Sequence, residues 1–157
     1  MEAASLNDIK KELQELDKTG VQALCLRLAK YKKENKELLT YLLFEAHNEQ
    51  AYVTMIKGEM DELFRSLPTG SVYFVKKGLR KILRVINKQI RYSGVKQTEL
   101  ELRLYFCTNV KDSSVPLRSS TVLYNMYEQQ IKKIKTLLEQ LPEDLQFDYH
   151  REIESLQ

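Results

Sequence analysis

Between Ser71 and Tyr92 the apolar residues recur at helical spacing. Val72, Val75, Leu79, Ile82, Leu83, Ile86 and Ile90 fall on one side at about 100° per residue. Lys77, Arg80, Lys81, Arg84, Lys88 and Arg91 fall on the other. The pattern predicts one amphipathic helix whose apolar stripe faces a core and whose cations face away from it.

Upstream, Leu6, Ile9, Leu13 and Leu16 predict a short helix over Ser5–Leu16, opened by Ser5 and Asp8 in the manner of a capping box. Asp17–Gly20 breaks it. Thr19 with Gln22 offers a second cap, and Val21, Leu24, Cys25 and Leu28 carry a helix to about Tyr31. After a charged hinge at Lys30–Lys36, the positions Leu39, Leu42, Ala46, Val53, Ile56, Met60, Leu63 and Leu67 keep nearly unbroken heptad spacing, missing only at Glu49. That spacing favours one long, bent helix over 34–66. Ordinary helix length favours two that meet near His47–Asn48. The heptad is given the greater weight.

Pro68 and Gly70 mark the clearest turn, and Gly94 suits the left-handed position that ends the basic helix. Lys96–Val110 reads as a helix on Leu100, Leu104 and Cys107. The alternation of Leu100, Leu102, Leu104 and Phe106 also fits a strand, but no partner strand is evident. Lys111–Ser120 is the longest loop. Ser119 or Ser120 caps a helix to about Leu141, and Pro142 opens a last one to Leu156. Gly58 and Gly78 fall inside predicted helices, where each costs up to ~1 kcal/mol relative to Ala. Close helix–helix contact would explain them.

The segments Lys36–Phe44 and Thr98–Phe106 echo each other at an offset of 62, matching at four of nine positions. An α-solenoid unit or chance agreement between Leu-rich helices would each produce this. The expected fold is therefore all-α: a single domain over 1–157 of six or seven mostly antiparallel helices. It is arranged as a helical bundle or as a short α-solenoid with HEAT/armadillo-like stacking.

Composition adds limits. A chain of 157 residues, 43% hydrophobic and 30% charged, is long enough and apolar enough for one packed core. The polar start Met1–Asn7 is unlike a secretory signal, and no apolar run approaches the ~18 residues of a membrane span. Cys25 and Cys107 sit among apolar neighbours and read as two reduced core thiols, which suits a cytoplasmic location.

Charge changes the picture more. Residues 66–98 carry eight basic and no acidic side chains, whereas residues 1–65 and 99–157 have net charges of −2 and −3. The net charge of +3 thus hides one basic segment between two mildly acidic ones.

Candidate chemistry is sparse. Phe44 and Phe147 stand three residues before His47 and His150, where a di-iron bundle needs Glu. Two His and two Cys lack zinc-site spacing, and Glu45, His47 and Glu49 alternate too closely to share one helical face. There is no phosphate-cradling Gly loop, dinucleotide fingerprint or nucleophile elbow. No catalytic residue, metal or cofactor is assigned.

The candidate binding residues are the cationic face of Lys77, Arg80, Lys81, Arg84, Lys88 and Arg91, with Tyr73 beside it. Four readings apply to it. The face is solvated or paired with nearby acids; it docks an acidic protein partner; it tracks a nucleic-acid backbone; or it lies on anionic lipid. The functional expectation is a non-enzymatic interaction or scaffold module docking an acidic partner, with nucleic-acid binding by the same face as the alternative.

Overall fold

The structure, a computed structural model, describes residues 1–156. Among these residues it holds eight α-helices and no strand. They are α1 (Leu6–Gln14), α2 (Lys18–Tyr31), α3 (Lys33–Thr40), α4 (Glu49–Arg65), α5 (Val72–Ser93), α6 (Lys96–Asp112), α7 (Thr121–Leu138) and α8 (Glu143–Ser155). A π-helical turn covers Tyr41–Glu45, and a 3-10 turn covers Leu117–Ser119. The all-α expectation holds, with eight helices in place of six or seven. No helix among the described residues is long and apolar enough to cross a membrane.

The extra helix comes from the stretch 34–66, which is two helices and not one. The break falls at His47–Asn48. Asn48 leaves helical geometry (φ −143°, ψ 79°), and its side-chain oxygen accepts the Ala51 N–H at 3.1 Å. That bond satisfies an orphan donor at the start of α4. The heptad misled because its two halves do not form one seam. Val53, Ile56 and Met60 are buried, but Leu42 is exposed and Leu39 only half-buried.

Other starts follow local chemistry. Ser5 caps α1 as expected, accepting the Asp8 N–H at 3.2 Å while its hydroxyl donates to the Asp8 carboxylate at 2.7 Å. The cap of α2 is Asp17, two residues before the expected Thr19, accepting the Gly20 N–H at 2.8 Å. Ser120, not Ser119, caps α7. Pro142 stands at the cap of α8, one position before the first helical turn. Gly94 ends α5 at φ 68°, the left-handed geometry its type permits.

The contacts divide the chain into two compact units, Met1–Phe44 and Glu45–Gln157. The first is the α2–α3 hairpin with α1 ahead of it, and its only buried side chain is Tyr41. The Asn35 amide closes the hairpin by donating to the Leu28 carbonyl at 2.8 Å. Cys25, expected in a core, lies half-buried in an open apolar groove of about 240 Å³ with Leu28, Leu38, Leu39 and Leu42. Leu24, Leu26, Leu28, Leu38 and Leu42 on these two helices and the turn after them are exposed.

The second unit is built around α6. Residue pairs show α6 parallel to α4 (Glu49 with Thr98, Asp61 with Tyr105) and antiparallel to α7 (Arg103 with Gln130, Cys107 with Tyr127). Neighbours α4 and α5 are antiparallel, since Tyr52 near the start of α4 bonds Gln89 near the end of α5. Helix α8 lies on α6 and α7 through Tyr149 with Glu101 and Tyr127 with the Leu156 carbonyl. Covered on several sides, α6 buries Leu100, Leu102, Leu104, Phe106, Cys107 and Val110. This explains the strand-like alternation: a helix covered on several sides can be apolar at more than one spacing. Phe64 of α4 meets Phe106 at 5.7 Å between ring centroids.

Burial on this scale raises acid–base thresholds. Loss of solvation pushes the Cys107 thiol up from 9.0 to about 12, and the Tyr127 and Tyr149 phenols up from 10.0 to about 12.

Candidate basic docking face

Helix α5 spans 22 residues, roughly 33 Å. Its rotation is set by both its faces. Val75, Leu79, Ile82, Ile86 and Ile90 are buried, as the stripe predicts, whereas Val72 is exposed and Leu83 half-buried at the stripe's margins.

Two polar links lock this rotation. The Tyr52 hydroxyl donates to the Gln89 side-chain oxygen at 2.7 Å. Arg103 of α6, 5% exposed, reaches three helices. It donates to Glu99 at 2.8 Å on its own helix, to Gln130 of α7 at 2.8 Å and to Asn87 of α5 at 3.1 Å. Sequence reading passed over this buried cation. Its clue was the i,i+4 placement of Glu99 and Arg103, the geometry of an ion pair, among Leu100, Leu102 and Leu104. A buried guanidinium is tolerated only with its donors matched, and this one has acceptors on three helices.

With α5 so held, its cations turn outward. Lys77, Arg80, Lys81, Arg84 and Arg91 are all exposed. None of these five forms an ion pair or side-chain hydrogen bond among the described residues. Lys88 differs, being half-buried and engaged in an interaction of its own. The acids nearest in sequence go elsewhere: Glu62 pairs with Arg65 at 2.7 Å, and Asp61 accepts from the Tyr105 hydroxyl at 2.6 Å.

The face is not flat. Tyr73, Lys76, Lys77, Arg80, Leu83, Arg84 and Asn87 line a hollow of about 580 Å³. Lys77, Lys81 and Arg84 rim a second one of about 260 Å³, whose apolar lining includes Leu63, Leu67, Pro68 and Phe74. Gly78 lies at this second hollow, where the turn from α4 presses against α5. A Cβ on Gly78 would stand 2.5 Å from Leu67 Cδ1. Close approach thus explains Gly78, but Gly58 has nothing within 4 Å of its Cβ position.

Of the residues expected here, Tyr73, Lys77, Arg80 and Arg84 share the larger hollow, and Lys81 joins Lys77 and Arg84 at the smaller. Arg91 lies further along the helix. Two partners escaped the sequence reading. Lys76 stands 5.9 Å over the Tyr73 ring, and Phe74, 53% exposed, packs edge-on against Tyr73 at 5.3 Å. Phe74 falls between stripe and cationic back, where periodicity assigns no role. Such a face can hold an anionic surface electrostatically and seat an apolar side chain between the cations. Compared with protein-family models, curated proteins and solved structures, the chain shows no match, so its own geometry is what informs function.

Proposed function

We propose that the chain is a non-enzymatic interaction module whose α5 face docks an acidic protein partner. The observation that carries this reading is the row Lys77, Arg80, Lys81, Arg84: exposed, on one helix, and in no ion pair among the described residues. A merely solvated face would need no hollow with an apolar floor between its cations. Leu67, Pro68 and Phe74 make such a floor. Charge speeds encounter, and the apolar seat supplies affinity that salt does not screen. The contacts centred on α6 favour a bundle over a stacked solenoid as the scaffold.

The test is a charge reversal, Lys77→Glu with Lys81→Glu and Arg84→Glu, read against a fluorescent acidic helical peptide that carries one Phe. The variant should keep the helical circular dichroism and lose peptide binding by at least tenfold. An unchanged affinity would remove the α5 face from the reading. A parallel arm uses mixed-sequence DNA and RNA oligonucleotides, since the exposed Tyr73 could stack on a base. Contact with five phosphates would make binding fall roughly 20-fold on doubling the salt. That response, with no peptide binding, would assign the face to nucleic acid instead.

A further inference from the structure

We propose that the acidic partner of the α5 face is helix α8 of a second copy of this chain. The proposal rests on the reading of α5 as an acidic docking face and names its occupant.

Helix α8 carries Glu143, Asp144, Asp148, Glu152 and Glu154 against the one arginine Arg151. Its inner side is committed. Ile153 and Leu156 are buried, the Tyr149 hydroxyl donates to Glu101 at 3.0 Å, and Gln97 donates to Tyr149 at 3.0 Å. At its far end, Lys111 donates to the Ser155 carbonyl at 2.6 Å, and Tyr127 to the Leu156 carbonyl at 2.7 Å. These bonds hold α8 on α6 and α7, and none of its carboxylates forms an ion pair with Lys77, Arg80, Lys81 or Arg84 among the described residues.

Its outer side is unlike an ordinary solvated face. Phe147 is 82% exposed, the most exposed large apolar side chain in the unit from Glu45 onward. Asp144 and Asp148 stand three residues before it and one after, both exposed and neither in an ion pair among the described residues. An aromatic ring between two carboxylates at i,i+4 is the complement of what α5 displays. There, Lys77 and Lys81, also at i,i+4, rim an apolar hollow of about 260 Å³, room for a single side chain. Residues four apart on a helix lie about 5–6 Å apart on either surface, so both carboxylates can meet both ammonium groups while the ring enters between them. Arg84 on the same rim leaves one cation for Glu143 or Glu152.

The two surfaces belong to different helices, so each contact pairs unlike surfaces. Two copies that exchange it reciprocally close a dimer, and copies that do not close propagate a chain. Both are self-association through α5 and α8.

Sedimentation velocity on the full chain, from dilute to concentrated and at low and high salt, tests this. The wild type should associate at low salt and weaken as salt rises. Phe147→Ala should weaken association about thirtyfold, the loss of one interface anchor. Lys81→Glu/Arg84→Glu alone and Asp144→Lys/Asp148→Lys alone should each stay monomeric. Mixed together they should associate, because each then offers the other a face of opposite charge, a rescue that misfolding cannot mimic. A wild type that stays monomeric throughout overturns the proposal, as does an association indifferent to these changes. If that monomer still binds the acidic Phe-bearing peptide through Lys77, Lys81 and Arg84, the docking-face reading survives and only the second copy is refuted. If it binds no acidic peptide, both fall.

Discussion

Lys36–Phe44 and Thr98–Phe106 are alike in residue pattern and unlike in surroundings. Leu38, Leu42 and Phe44 correspond to Leu100, Leu104 and Phe106. The first three are exposed and the second three buried; Phe44 is 63% accessible and Phe106 1%. Each segment carries a Glu paired with a cation four residues away, Glu37 with Lys33 and Glu99 with Arg103. The difference is the number of helices within reach. Helix α3 has α2 for its main neighbour, while α6 has α4, α5, α7 and α8. Apolar side chains do not make a core; enclosure by other elements does. A pattern shared by two segments therefore says little about whether they share a role.

The comparison can be broken most forcefully at its two phenylalanines. Phe106→Ala should cost about 3–5 kcal/mol in urea unfolding, by lost transfer energy and the cavity left behind. Phe44→Ala should stay within about 0.5 kcal/mol, as surface changes do. Equal costs would mean that Phe44 is covered in solution.

The buried Cys107 and the half-buried Cys25 give a second contrast, and Cys107 is read through pH. Burial holds the folded Cys107 thiol neutral up to about 12, whereas the unfolded thiol ionises near 9.0. Tyr127 and Tyr149 behave alike between 10.0 and about 12. In each case the unfolded chain releases its proton first. Stability from these groups is therefore complete below pH 9 and is lost as pH rises through the 9–12 window. Cys107→Ala should delay the onset of that loss to the tyrosine range, as followed by chemical denaturation at fixed pH steps. In the native protein, a thiol reagent should modify Cys25 promptly and Cys107 only on unfolding.

The smallest expected effects separate two helical glycines. Gly78→Ala should cost about 1–3 kcal/mol, because its Cβ would drive into Leu67. Gly58→Ala meets nothing and should stabilise the protein by up to ~1 kcal/mol. Thermal unfolding of the two variants checks both signs. A stabilised Gly78→Ala would show that the turn from α4 yields easily, and with it the wall of the smaller hollow.

Much of the helix inventory was readable from local chemistry. Ser5 caps α1, Pro68 and Gly70 form the turn ahead of α5, and Gly94 ends α5, because each acts on backbone within a few residues of itself. The break at Asn48 had its own signal, a capping residue just before Glu49, but the heptad across it carried more weight. The position of α6 could not be read in this way. Its alternating leucines had no clear period, since a helix with neighbours on several sides has no single apolar face to reveal.

The sequence by itself determined where α5 starts and stops, which of its sides is apolar and which cationic, because helical geometry converts spacing directly into direction. Only the tertiary structure decided that α6, not α5, is the enclosed helix, that Arg103 is buried among acceptors from three helices, and that a hollow opens beside Lys81. Those features depend on residues far apart in the chain meeting in space, and neither periodicity nor composition records such meetings.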